Sequence, residues 1–133
     1  MLSKGESKQK RDQFLDRLQK KTNRLIKKWK HLLKLGDYTF TVEYKQGSSD
    51  YHANGFIGIA CTRASWEYRQ ATITFWIDEL ADVPEEDIEN IVVHELMHTV
   101  VAPISPKHGK LEEFVVENLT MIAINLEKKK NKK

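Results

Sequence analysis

Phe14, Leu18, Leu25, Trp29 and Leu32 recur at steps of three, four and seven, with Leu15, Ile26 and Leu33 beside them. That is the period of a helix with one apolar stripe, and it predicts a single amphipathic helix over about 9–35, closed by Gly36. From position 37 the period shortens to two. Tyr38, Phe40, Val42 and Tyr44 alternate with Thr39, Thr41 and Glu43, as in a strand with one buried face. Beyond the turn-rich QGSSDYHANG, the segment FIGIACTRA reads as a second strand and ATITFWIDE as a third. In the third, Ala71, Ile73, Phe75 and Ile77 share one side, with Thr72, Thr74, Trp76 and Asp78 on the other. The sheet thus occupies 37–79.

Helical period returns in ADVPEEDIENIVVHELMHTVV. Asp82 and Glu85 stand at capping-box spacing, Pro84 suits a first turn and acids cluster at the start, which predicts a helix over about 84–101. APISPKHG breaks it. A last helix, about 110–127, carries Leu111, Phe114, Val115, Leu119, Ile122, Ala123 and Leu126, and a basic, disordered tail follows over 128–133. The order of helix, three strands and two helices predicts an α+β fold, and 133 residues at 40% hydrophobic content suffice for one domain over 1–133.

The formal net charge of +3 conceals an asymmetry. Residues 1–36 carry twelve Lys or Arg against three acids, net +9, the last seven residues are net +4, and the body between is net −10. Basic ends of this kind are either solvated faces or a means of weak contact with nucleic acid through residues 1–36. No h-region opens the chain and no apolar run approaches the length of about 20 residues that spans a bilayer, so the expectation is a cytoplasmic protein without membrane association. Cys61 is the lone cysteine, and its apolar setting in IGIACT suits a buried structural thiol.

The chemistry is concentrated in HELMH. His94 and His98 lie one helical turn apart and can reach one tetrahedral zinc, with Glu95 projecting beside them towards an open position. The metal would acidify its water and polarise a carbonyl, and Glu95 would carry the proton to the leaving amine. Ile91, Val92, Val93, Leu96, Val100 and Val101 make the surroundings apolar, where two imidazoles and a carboxylate are expensive without a partner. A third ligand has four candidates: His108, Glu112, Glu113 and Glu117. If the last helix returns antiparallel, a rise of about 1.5 Å per residue sets positions near 113 opposite His98 and near 117 opposite His94. Glu113 and Glu117 look in one direction, Glu112 shares a face with Val115 and Leu119, and His108 sits in the turn beside Gly109.

HELMH followed by EEFVVENLT resembles the gluzincins, whose two-histidine helix is completed by a glutamate from the next helix. The resemblance implies a zinc-dependent peptidase acting on peptide or protein substrates, with Glu113 as metal ligand and Glu117 holding His94. Its aminopeptidase N-like branch implies Glu117 as ligand instead. The order of elements over 38–126 is similar to small phage and bacterial metallopeptidase-like proteins, in which ATITFWIDE would be the edge strand that pairs with substrate, with Thr74 and Trp76 bordering the cleft. KHGKLEEF also resembles the segment of SprT-like proteases that supplies a third histidine, which would be His108. The alternative to an enzyme is a zinc-containing regulatory or binding module with this fold and little turnover.

Overall fold

The computed structural model describes residues 4–46, 52–53, 56–57, 59–104 and 110–131, and the fold is α+β. The long first helix, α1 (Lys4–Leu32), buries Leu18, Leu25, Ile26 and Trp29 and exposes Lys10, Lys20 and Lys27. Its end is not made by Gly36. Lys34 takes the left-handed conformation at φ 62°, its N–H donates to the His31 carbonyl at 3.2 Å, and the Leu35 N–H donates to the Lys30 carbonyl at 2.8 Å. Those two bonds cap the free carbonyls of the last turn and fold the buried Leu35 under it.

Among the described residues five strands follow: β1 (Thr39–Lys45), the short pair β2 (His52–Ala53) and β3 (Phe56–Ile57), then β4 (Ala60–Ser65) and β5 (Gln70–Trp76). The segment expected as one second strand is therefore two, and β2 and β3 pair only with each other among the described residues. The main sheet has the order β1-β5-β4, with β1 parallel and β4 antiparallel to β5. The third strand stops earlier than its alternation suggested, because Ile77–Leu80 turn into the short helix α2. Ala71, Ile73 and Phe75 are buried on one face of β5, paired with Phe40, Val42 and Tyr44 of β1.

A single turn at Glu85–Asp87 leads into α3 (Ile88–Val101), and neither start carries a side-chain cap, so the expected capping box is not formed. Here α3 is the centre of the core: Val92, Val93 and Leu96 are fully buried, each stabilising the fold by roughly 1.5–3 kcal/mol relative to exposure. Helix α1 is fastened across it. The Trp29 indole N–H and the Lys28 ammonium both donate to Glu89 Oε2, at 2.8 and 3.0 Å. Burial works against the Glu89 charge, but those hydrogen bonds outweigh it and hold the carboxyl below its usual pKa.

The last helix, α4 (Lys110–Asn131), runs through the lysines that the sequence suggested were disordered; Lys128, Lys129 and Lys130 form its final turn, where cations suit the helix dipole. Its buried stripe is Glu112, Val116, Thr120 and Ile124, with Leu119 and Ala123 packed beside it. Leu111, Phe114, Ile122 and Leu126, which mark the helix as apolar in sequence, face water. Among the described residues no helix is long and apolar enough to cross a membrane.

Candidate metal centre

Helix α3 presents His94 and His98 one turn apart, with ring centroids 5.1 Å apart and the rings edge to face. From α4, Glu113 comes between them: its Oε2 is 3.3 Å from His94 Nε2 and its Oε1 is 3.2 Å from His98 Nε2. The opposite ring nitrogens are backed as well. Glu117 Oε2 lies 3.2 Å from His94 Nδ1, and Glu112 Oε2 lies 2.7 Å from His98 Nδ1. Each imidazole is thus held from behind by one carboxylate and turns its Nε2 to a shared third.

This arrangement could hold a metal ion. One ligand atom from each of His94, His98 and Glu113 falls within 4.8 Å of the others. Tetrahedral zinc with bonds of about 2.0–2.1 Å would draw one Glu113 oxygen and the two Nε2 atoms to about 3.3 Å of one another, a modest closing of the group as it stands. Two nitrogens and a carboxylate oxygen leave a fourth position, the donor set of a hydrolytic zinc site. A carboxylate behind each Nδ1 would keep a proton there and so leave the Nε2 lone pair to a cation once the proton shared with Glu113 is displaced.

The electrostatics agree. Burial disfavours charge on His98, yet its hydrogen bond with Glu113 and the negative charges of Glu95 and Glu113 prevail and push its pKa up to about 9. For His94, too, burial is outweighed by Glu113 and Glu95, and its pKa is raised. Hydrogen bonds from both imidazoles hold Glu113 far below the usual carboxylate range. A positive charge is stabilised at this point whether protons or a metal supply it.

Glu95 is buried on the sheet side of α3. The Thr62 hydroxyl of β4 donates to Glu95 Oε1 at 2.8 Å and also approaches the Glu95 carbonyl oxygen at 3.1 Å. Burial pushes the Glu95 carboxyl upward, against the pull of His98, His94 and Thr62. Its charge reaches Cys61, which is half-buried; burial first and Glu95 second raise the thiol pKa and keep it inert.

Of the residues singled out in the sequence, His94, His98 and Glu113 come together with Glu117 behind His94, and Glu95 lies beside both imidazoles. His108 lies outside the described residues. Thr74 and Trp76 are not on an edge strand: β5 is the middle strand. Thr62 pairs with Ile73, so the next residue, Thr74, projects from the sheet face opposite the one that carries Thr62 to Glu95, where it donates to Glu43 Oε2 at 3.3 Å. The edge beside α3 belongs to β4. Thr62 escaped the sequence reading, and Glu112, weighed there as a third ligand on the face of Val115 and Leu119, instead stands behind His98 Nδ1. For Glu112 a signal existed, since Val116 and Thr120 continue it at four-residue steps as a narrow stripe suited to close helix packing. Comparison with protein families, curated proteins and solved structures finds no match.

Proposed function

We propose that the chain is a zinc-dependent metallopeptidase of gluzincin type, acting in the cytoplasm on peptide or protein substrates. The observation that carries this reading is the pair of imidazoles turned by Glu112 and Glu117 towards Glu113, with the buried Glu95 alongside. When bound by His94, His98 and Glu113, zinc supplies a Lewis acid that acidifies water and polarises a peptide carbonyl. The rest falls to the chain's own side chains. Glu95 takes the proton of the attacking water on its carboxylate and returns it to the leaving amine, and burial raises its pKa, the direction that favours uptake of that proton. Thr62 holds that carboxylate in place from β4. Substrate in extended form adds to the outer edge of β4, which pairs only with β5 among the described residues.

The test is a peptide-library digest with metal analysis of the same samples. The protein is expected to bind about one zinc per chain, and Glu95→Gln to keep the metal while cleavage disappears. Undiminished cleavage by Glu95→Gln would rule the mechanism out.

A second reading rests on Arg17, Lys20, Arg24 and Lys27, all exposed at steps of three and four along the outer face of α1. It makes the protein a zinc-containing module that touches nucleic acid, with little turnover. Binding should then fall steeply with salt and weaken for every sequence alike when Lys20, Arg24 and Lys27 are reversed to Glu. Absence of binding at low salt excludes it.

A further inference from the structure

One hydrogen bond fixes which backbone groups line the open edge of β4. The Trp76 N–H donates to the Ile59 carbonyl at 2.9 Å, and Ile59 stands opposite Trp76, one step before the pairing of Ala60 with Phe75. In an antiparallel ladder, opposed residues that exchange backbone hydrogen bonds alternate with residues whose N–H and C=O point the other way. Cys61, Arg63 and Ser65 therefore direct their backbone groups at β5, and Ala60, Thr62 and Ala64 turn theirs outward. The side chains divide in the same way. Thr62 carries its hydroxyl to Glu95 on the α3 side, so Cys61, Arg63 and Ser65 project from the opposite face.

An extended peptide added antiparallel to this edge, the more stable pairing per residue, exchanges its hydrogen bonds with Ala60, Thr62 and Ala64. It meets Arg63 in a non-hydrogen-bonded pair, where opposed Cα atoms come within about 4.5 Å and the two side chains lie closest. Arg63 is exposed, and among the described residues it enters no ion pair. Glu43, the acid that shares this face of the three strands, lies two strands away on β1 and accepts from Thr74 at 3.3 Å. A guanidinium at the rim thus stands where a substrate side chain must pass. We infer that Arg63 selects the substrate: the peptide carries Asp or Glu opposite Arg63, next in sequence to the residue that pairs with Thr62 beside Glu95. This rests on the peptidase reading for where the substrate lies, and adds to it a class, acidic peptides in extended form.

The test uses zinc-loaded protein and peptides that differ only in carrying Glu, Ala or Lys at one position, stepped along an otherwise constant sequence. Cleavage is read by mass spectrometry, and binding to Glu95→Gln by fluorescence anisotropy. One position is expected to favour Glu over Lys by roughly threefold to tenfold in kcat/KM and in Kd, the size of a cross-strand charge pair set against its like-charge reverse. Arg63→Glu should invert that preference and Arg63→Ala flatten it, with zinc content and far-UV circular dichroism unchanged because Arg63 is exposed. Register has its own readout. N-methylation of either neighbour of the acidic residue removes an N–H aimed at β4 and should cost about tenfold, whereas methylation of the acidic residue itself, whose N–H points away, should be tolerated. An equal loss at all three positions would overturn the register and with it the pairing with Arg63. Cleavage without an acidic preference, or with one that Arg63→Glu leaves in place, overturns the inference and leaves the peptidase reading standing. Binding with that preference by a protein that cleaves none of the peptides overturns the peptidase reading and supports Arg63 as the selector. Neither binding nor cleavage overturns both.

Discussion

His94 and His98 sit on one helix, face one carboxylate and are each backed by another, yet the two halves of the centre are built of different material. The His98 side chain is 6% exposed and its partner Glu112 2%, at a distance of 2.7 Å. On the His94 side the partner Glu117 is 63% exposed and stands 3.2 Å away. A charge pair gains several-fold in strength from the lower dielectric of the interior, and loses most of it to water and salt at the surface. The His98 half is therefore set by the core, and the His94 half is adjustable. In the peptidase proposed above, that combination would give one ligand fixed by the core and one beside solvent that yields as substrate enters.

The largest effect should come from Glu113, which serves both halves: Glu113→Ala is expected to lose zinc to a chelator that leaves the wild type loaded, and tight retention would remove Glu113 from the ligand set. Next is Glu112. Glu112→Ala should cut zinc affinity about 10- to 100-fold and, by removing the buried carboxylate at His98 Nδ1, destabilise the metal-free fold by about 3 kcal/mol. A denaturant titration reads the second effect, and a change below the uncertainty of that method would mean that the buried half is no firmer than the exposed one. Thr62→Val should cost about 1–2 kcal/mol in stability from the lost hydrogen bond, lower kcat, and leave zinc affinity unaltered. Glu117→Ala should be the mildest at the site, within a few-fold in affinity, and the difference should vanish at high salt. An effect as large as that of Glu112→Ala would break the comparison.

Outside both halves, Glu89 gives a control in pH. Its folded pKa is depressed, so its contribution is present above the ordinary carboxylate pKa and is lost as pH falls through the lowered value. Glu89→Gln should flatten the acid limb of stability against pH without touching zinc affinity. An unchanged acid limb would show that Trp29 and Lys28 add nothing to its charge.

The elements were legible because their periods differ: steps of three and four in α1 and α3, strict alternation in β1 and β5. HELMH gave two imidazoles and a carboxylate at once, since helical spacing alone fixes which side chains share a face. What stayed hidden depends on how one element is rotated or ordered against another. Glu112 and Glu113 are adjacent on α4 and about 100° apart around it, and the larger apolar residues argued for the wrong ridge as the buried one. Val116 and Thr120 won that place because smaller side chains let α4 come close to α3. Strand order hid Thr62 in the same way. Alternation is blind to neighbours, and the edge position that the resemblance implied for β5 gave way to the parallel pairing of β1, which places it in the middle. At the end of α1 a glycine two residues too late drew attention from Lys34, where pairs of backbone hydrogen bonds tolerate a left-handed lysine.

The parallel pairing of β1 with β5 also orders events in time. Strands β4 and β5 are joined by a short turn, and α3 and α4 are neighbours along the chain, so hairpin and helix pair form through short loops. Strand β1 must find β5 across the whole of β2–β4, a search whose entropy is not repaid until the contacts close. His94, His98, Glu95, Thr62 and Glu113 all belong to the early-forming part, whereas Trp29, which seals α1 against Glu89, belongs to the late one. In a refolding experiment, zinc capture should therefore run ahead of the burial of Trp29, and the ion would act as a nucleus around which the first half of the chain is still being wound.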